Sequence, residues 1–172
     1  MTWIQTYTGK KFYPLDPKIE DICIEDIAHA LSMICRFNGH CNRFYSVAEH
    51  SIIISDFLPV GENLAGLLHD GAEAYFCDLP RPIKELFPEY KKLENKTQDL
   101  IFKKFNIKKT EIIKRYDNSI LIDESNLLMP NKPEPWTFYD NLQLSCYGSI
   151  QCWSPQKAEF EFLKRFRTLT EV

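Results

Sequence analysis

The sequence predicts an all-α fold, a single compact helical bundle, on three observations. Apolar residues recur at i, i+3 and i+4 through most of residues 24–129. Helix-start signals precede two of these runs: Ser46 with Glu49, and Ser154 followed by Pro155. The prolines Pro59, Pro80, Pro82 and Pro130 fall at the ends of runs, where they stop a helix rather than kink it. The chain has 172 residues, 44% hydrophobic and 26% charged, which suits one domain (1–172) with its own core.

Residues 1–23 read as an irregular arm, because Pro14 and Pro17 prevent a long helix. Ile24, Ile27, Ala28, Leu31, Ile34 and Cys35 then form the stripe of a first helix. The stretch RFNGHCNRFY is a loop, broken at Asn38-Gly39. Ser46 and Glu49 form a capping box, in which each side chain satisfies a backbone N–H at the start of the second helix. That helix runs to about Leu58. A third is expected from roughly Glu62 to Phe76, followed by the DLPRP break and a short helix through Leu86. Pro88 suits the first turn of a helix reaching about Phe105, and another spans about Thr110 to Met129. Residues 130–153 read as a long loop with room for a short hairpin. The last helix, 154–170, carries Ala158, Phe162, Phe166 and Leu169 on one face.

Composition excludes some functions. A net charge of −3 disfavours a general nucleic-acid binder, so an anionic substrate needs a local basic patch. The start MTWIQTYTGKKF has no apolar segment of signal-peptide type, and no run approaches the ~18 apolar residues of a membrane span. A cytoplasmic protein without a membrane partner is expected. The six cysteines contain no C-x-x-C spacing, so reduced, mostly buried thiols are expected.

Chemistry is confined to few residues. Of the four histidines, His50 lies on the stripe Val47, His50, Ile54, Phe57, and His69 on the stripe Ala65, Leu68, His69, Ala72, Phe76. Both point inward, where a bare polar group costs several kcal/mol. A lone inward histidine is more often a satisfied core residue than a ligand. Asp70 beside His69, and Glu73 one turn on, change that balance, since buried carboxylates demand a partner. Between Asp117 and Asp123, helical phase selects Asp117, which shares its stripe with Ile120, Leu121, Glu124, Leu127 and Leu128. Asp123 aligns with Tyr116, Ser119 and Asn126, a face expected to be solvated.

Two imidazoles and two carboxylates suit Zn²⁺, Mn²⁺, Co²⁺ or Fe²⁺, with Mg²⁺ allowed near substrate phosphates. An ion so held lowers the pKa of a bound water towards ~7. Glu73 can then act as general base or acid. Asp78 either aligns the attacking water or caps its turn; both readings stand. Arg36, Arg43, His40, Arg81 and Lys84 are basic groups that can meet a phosphate, although each alone reads as a surface charge. Phe37 and Tyr45 can stack on a base or pack in the core.

The pattern of His50, His69-Asp70 and Asp117 resembles the HD-domain phosphohydrolase superfamily. SVAEHS at 46–51, LLHDGAEAYFCDLPRPIK at 67–84 and IKRYDNSILIDESNLLMP at 113–130 resemble its small 5′-deoxynucleotidase-like branch. TYTGKKF, the stretch from IEDIAHAL to SVAEHS, and the later W-S-P resemble compact bacterial and phage members, among them the phage dATP triphosphohydrolases of the DatZ type. The resemblance implies an all-α bundle that assembles as a dimer or larger homo-oligomer, working in the host cytoplasm if phage-encoded. It implies His50, His69, Asp70 and Asp117 as metal ligands, and Glu73 and Asp78 in proton transfer and water positioning. Arg36 matches a phosphate-contacting arginine. Phe37 falls where the family places an aromatic, often Trp, against the nucleotide.

His40 is expected to line the pocket without being a ligand, and His29, off its stripe, to be structural. The expected activity is phosphate removal from deoxynucleotides, dATP first, with a broad 5′-deoxynucleotidase acting on monophosphates as the alternative. A cyclic-nucleotide phosphodiesterase or di-iron oxygenase usually needs more histidines than His29 and His40 supply. A degenerate nucleotide-binding module should have lost at least one ligand.

Overall fold

The chain breaks where its prolines and polar loops fall, and a computed structural model describes residues 2–134 and 144–171. Among them are the helices α1 (Ile24–Met33), α2 (Val47–Phe57), α3 (Asn63–Leu67), α4 (Glu73–Phe76), α5 (Arg81–Lys84), α6 (Pro88–Lys104), α7 (Ile112–Leu128) and α8 (Pro155–Thr170). The fold is compact and mostly helical. None of these helices is long and apolar enough to cross a membrane.

Helix α2 is the centre of the bundle. Every residue from Val47 to Ser55 is buried, with α1, α3, α7 and α8 packed around it. Val47, Ala48 and Ile52 join one apolar cluster, with Ile27, Leu31 and Phe162. Ile53 and Ile54 join another, with Ile113, Ile120 and Leu128. Each fully buried side chain of this size contributes about 1.5–3 kcal/mol. Gly66 lets α3 lie close to α2: a Cβ there would collide with the Leu58 side chain and come within 3.2 Å of the Ser55 Cα.

Several expectations are corrected. The arm over 1–23 carries a small hairpin, β1 (Ile4–Gln5) paired antiparallel with β2 (Lys11–Phe12). Gly9 turns it at φ +83°, and the Asp26 carboxylate of α1 accepts from the Thr8 N–H at 2.7 Å and its hydroxyl at 3.0 Å. Burial of Phe12 against Tyr75, ring centroids 4.2 Å apart, completes the docking.

The continuous helix expected over Glu62–Phe76 is interrupted. Residues 68–72 run as i→i+3 turns, with Gly71 N–H to Leu68 O at 3.1 Å and Glu73 N–H to Asp70 O at 2.9 Å. There the Gln98 side chain of α6 bonds the Ala72 N–H and the Leu68 carbonyl, the pair that a continuous helix would join.

Only half of the capping box forms. The Ser46 hydroxyl accepts the Glu49 N–H at 3.1 Å, but the Glu49 carboxylate reaches elsewhere. It accepts the N–H groups of Gln151, Cys152 and Trp153 at 2.6, 2.9 and 2.7 Å. Asp123 is buried, not solvated, and accepts the Cys146 N–H at 2.8 Å. These two carboxylates fasten residues 144–153 across the bundle. The middle of the loop expected over 130–153, at 135–143, lies outside the described residues. The cysteines are free thiols, as expected, but only Cys146 is buried, and Cys77 is exposed.

Candidate metal centre

Three elements converge on one point. α2 brings His50, the turn between α3 and α4 brings His69 and Asp70, and α7 brings Asp117. His50, His69 and Asp117 each offer a donor atom, all within 4.8 Å of one another, close enough to hold one metal ion. Asp117 Oδ1 is 3.3 Å from His50 Nε2. Asp70 Oδ2 is 3.1 Å from His69 Nε2 and 3.7 Å from His50 Nε2, so it borders the same point.

The histidines are oriented by their far nitrogens. His69 Nδ1 bonds the Gly66 carbonyl at 2.8 Å. A carbonyl only accepts, so Nδ1 carries the proton and the Nε2 lone pair faces the site. His50 Nδ1 bonds Glu124 Oε1 at 2.6 Å, the carboxylate–histidine arrangement that steers a metal ligand. Both Nε2 atoms are buried without a hydrogen-bond partner among the described residues. Such orphaned atoms are costly unless something binds them. Burial and the Arg36 charge push the His50 imidazolium down, yet Glu124 and Asp117 outweigh them and raise it to about 9. A proton and a divalent cation are thus alternative answers to the same negative potential.

Glu124 is the organiser that sequence reasoning did not assign. Wholly buried, it accepts from the Tyr45 hydroxyl at 2.6 Å, from His50, and from Arg36 Nη2 at 3.1 Å. Burial alone would raise its carboxyl, but Arg36, His50 and Tyr45 bring it down to about 2. Its place on the Asp117 stripe was a usable signal, because a buried glutamate must have partners. Of the two readings the sequence allows for Tyr45, stacking on a base or packing in the core, the structure has the second, with the phenol tied to this carboxylate.

Arg36 is placed by its backbone. Its N–H bonds the Tyr45 carbonyl at 2.9 Å, and Val47 N–H bonds Ile34 O at 3.1 Å, so the loop leaves and re-enters at fixed points. Phe37, Asn38 and Gly39 all have positive φ, at 56°, 53° and 76°. A left-handed phenylalanine is strained, and such strain gathers at functional sites. The Arg36 guanidinium stands 5.5 Å from the Phe37 ring and 3.8 Å from Asp70 Oδ2.

A cavity of about 680 Å³ opens from this point. Arg36, Phe37, His40, Asp78, Arg81 and Lys84 line it, with Glu73, Asp70 and Asp117 also in its wall. Arg36, Phe37, His40, Arg81 and Lys84, all expected from sequence to face substrate, therefore border one cavity, whereas Arg43 is exposed and outside its lining. His29 does not border it either: it stacks on Tyr7 at 3.7 Å and meets Glu159 at 3.1 Å. A separate concavity on the outer face of α6 is lined by Lys91, Lys92, Lys96 and Lys103, and holds none of the histidines or carboxylates above.

The charges in the cavity are unequal. Burial raises Asp70, but His69, His50 and Arg36 hold it well below the usual carboxylate range. Asp117 is likewise lowered, chiefly by His50, against burial. Glu73 goes the other way: burial, Asp70 and Asp78 raise it well above the usual range, and Lys84 offsets this only in part. Lys84 Nζ lies 3.6 Å from Glu73 and 2.8 Å from Glu94, a buried carboxylate that sequence reasoning also missed. Burial also raises Asp78. The positive φ of Cys77, 65°, turns the chain just before it.

The fold and site together define a helical protein with a histidine–carboxylate cluster, able to hold a metal ion, beside a cavity lined by carboxylates and by Arg36, Arg81 and Lys84. The chain belongs to the family of the Escherichia coli K12 protein YfdR. It is 34% identical to YfdR over 174 aligned positions, covering 100% of this chain and 98% of that one. A Rhodobacter capsulatus protein is 40% identical over 91 residues, covering 48% of this chain and 46% of that one. Both relatives are described as uncharacterized. No family model matches the chain.

Proposed function

We propose that this protein is a metal-dependent phosphohydrolase of the HD-domain type that removes phosphate from deoxynucleotides, with dATP as the leading substrate. The observation that carries the reading is the pair of buried, unpartnered Nε2 atoms of His50 and His69 beside the Asp117 carboxylate. Their donor set, with Asp70 as a further oxygen ligand, suits Zn²⁺, Mn²⁺, Co²⁺ or Fe²⁺. A bound ion supplies Lewis acidity towards phosphoryl oxygen and lowers the pKa of water.

The chain supplies the rest. Arg36, pinned by Glu124, offers a fixed positive charge for phosphate, and its buried Nε has no partner among the described residues. Arg81 and Lys84 add charge along α5. Glu73, whose carboxyl is raised by burial and by Asp70 and Asp78, can hold a proton more readily than an ordinary glutamate and exchange it with the attacking water or the leaving oxygen. Asp78 lines the same cavity and can orient the nucleophile. Phe37, Leu121 and Met129 form an apolar wall for a base.

The test is a product-release assay over all dNTPs, dNMPs and rNTPs with Mn²⁺, Co²⁺ and Zn²⁺. Deoxyadenosine and inorganic phosphates from dATP, lost in His69→Ala, are expected. Turnover of dNMPs alone would favour a 5′-deoxynucleotidase, and equal turnover of every base would remove the dATP preference. No turnover of any nucleotide overturns the reading.

A further inference from the structure

The break between α3 and α4 falls where the ligand pair and the proton-carrying glutamate must be set against each other. In an unbroken α-helix, His69 and Glu73 would be about 40° apart around the axis, stacked on one face. Turns of the i→i+3 kind advance about 120° per residue, which places the two about 120° apart. The interruption therefore decides whether Glu73 sits above His69 or is swung to a different part of the cavity wall.

Gln98, on α6, is what holds the helix open. Its Oε1 accepts the Ala72 N–H at 2.9 Å, and its Nε2 donates to the Leu68 carbonyl at 2.7 Å. Those two backbone groups are the ones that would bond each other in a continuous helix, four residues apart. The side-chain amide stands between them, and both stay satisfied. A primary amide offers a donor and an acceptor together; a carboxylate only accepts, and a thioether donates nothing.

The same face of α6 bears on the segment twice more. A Cβ at Gly71 would lie 3.2 Å from Ile101 Cδ1, so Ile101 presses directly on the turn. Glu94, one turn before Gln98, holds Lys84 at 2.8 Å, and Lys84 stands 3.6 Å from Glu73. One helix thus fixes the ligand turn at its backbone and meets Glu73 through a lysine.

We propose that Gln98 is a positioning residue: its amide, inserted between Leu68 and Ala72, keeps His69-Asp70 and Glu73 in the register that lets all three serve one cavity. The inference rests on the metal-centre reading. In Gln98→Met the Ala72 N–H is released to bond Leu68 O, and the segment relaxes towards an α-helix. In Gln98→Glu the acceptor is kept and the donor lost.

The experiment compares Co²⁺ uptake by the full-length protein and both variants, read by titration and by the visible d–d spectrum of the bound ion, with thermal melting alongside. Wild type is expected to give a defined Co²⁺ spectrum. Gln98→Met should bind about 10–100-fold more weakly with a shifted spectrum, and Gln98→Glu should fall between. If one variant does not fold, the other carries the comparison. Melting that drops while affinity and spectrum stay those of wild type makes Gln98 a stability residue and overturns the inference. Wild type that takes up no Co²⁺ overturns the metal-centre reading, and this inference with it.

Discussion

Glu124 and Glu73 are both buried, at 0% and 7% exposure, yet they titrate in opposite directions. Glu124 is brought down to about 2, while Glu73 is raised well above its usual range. Depth does not separate them; partners do. Glu124 receives a guanidinium, an imidazole and a phenol. Glu73 has a lysine at 3.6 Å and an oxygen, Oε2, without a hydrogen-bond partner among the described residues, and it faces the charges of Asp70 and Asp78. Two environments push like groups apart: the satisfied carboxylate keeps its charge, and the frustrated one takes up a proton more readily.

The largest effect should come from breaking the frustrated side. Glu73→Gln is expected to lower phosphohydrolase turnover by about 10²–10⁴-fold while metal uptake persists. It should also flatten a pH dependence of stability. Glu73 holds its proton more tightly folded than unfolded, so metal-free wild type loses stability as pH rises above about 4.5. Urea melts of metal-free protein should find that slope reduced in Glu73→Gln, with the variant gaining on wild type towards pH 7.

Breaking the satisfied side comes next. Glu124→Gln leaves Arg36 and His50 without their buried counter-charge and should cost about 3–5 kcal/mol. Metal affinity should fall about 10–100-fold with the loss of His50 orientation. Here the sign reverses. Glu124 is depressed, so its contribution is full above its unfolded value of about 4.5 and is lost as pH falls towards about 2. The stability gap between wild type and Glu124→Gln should therefore narrow over that interval in urea melts.

Two smaller substitutions sharpen the contrast. Lys84→Met removes the lysine 3.6 Å from Glu73 and should move the acidic limb of the pH–rate profile up by about one unit. Asp123→Ala orphans the Cys146 N–H and should cost about 1–3 kcal/mol in melts, with Co²⁺ affinity unchanged. Loss of Co²⁺ in Asp123→Ala would contradict the assignment of Asp117 as the ligand of α7.

How much was legible varies by element. On α7, phase alone separated Asp117 from Asp123, and the cluster contains Asp117. Phase misjudged what Asp123 faces, because the cover over that face is residues 144–153, a segment with no periodicity to read. On α2, phase decided less than it promised. The helix is buried all round, so an inward stripe cannot distinguish the metal side from the core side. The break at 68–72 was invisible, since the apolar pattern of 62–76 is continuous and the interrupting amide lies 26 residues from Ala72. Glu124 was seen on its stripe but not understood, because its partners Arg36 and His50 are 88 and 74 residues away.

Local chemistry determined the helices, their stops and the short list of inward histidines and carboxylates, because periodicity, caps and prolines act within a few residues. Tertiary structure decided which carboxylate is lowered, which one is raised, and where the helix bearing His69 is interrupted. Those outcomes depend on Coulomb interactions and hydrogen bonds between groups distant in the chain, and only packing sets such distances.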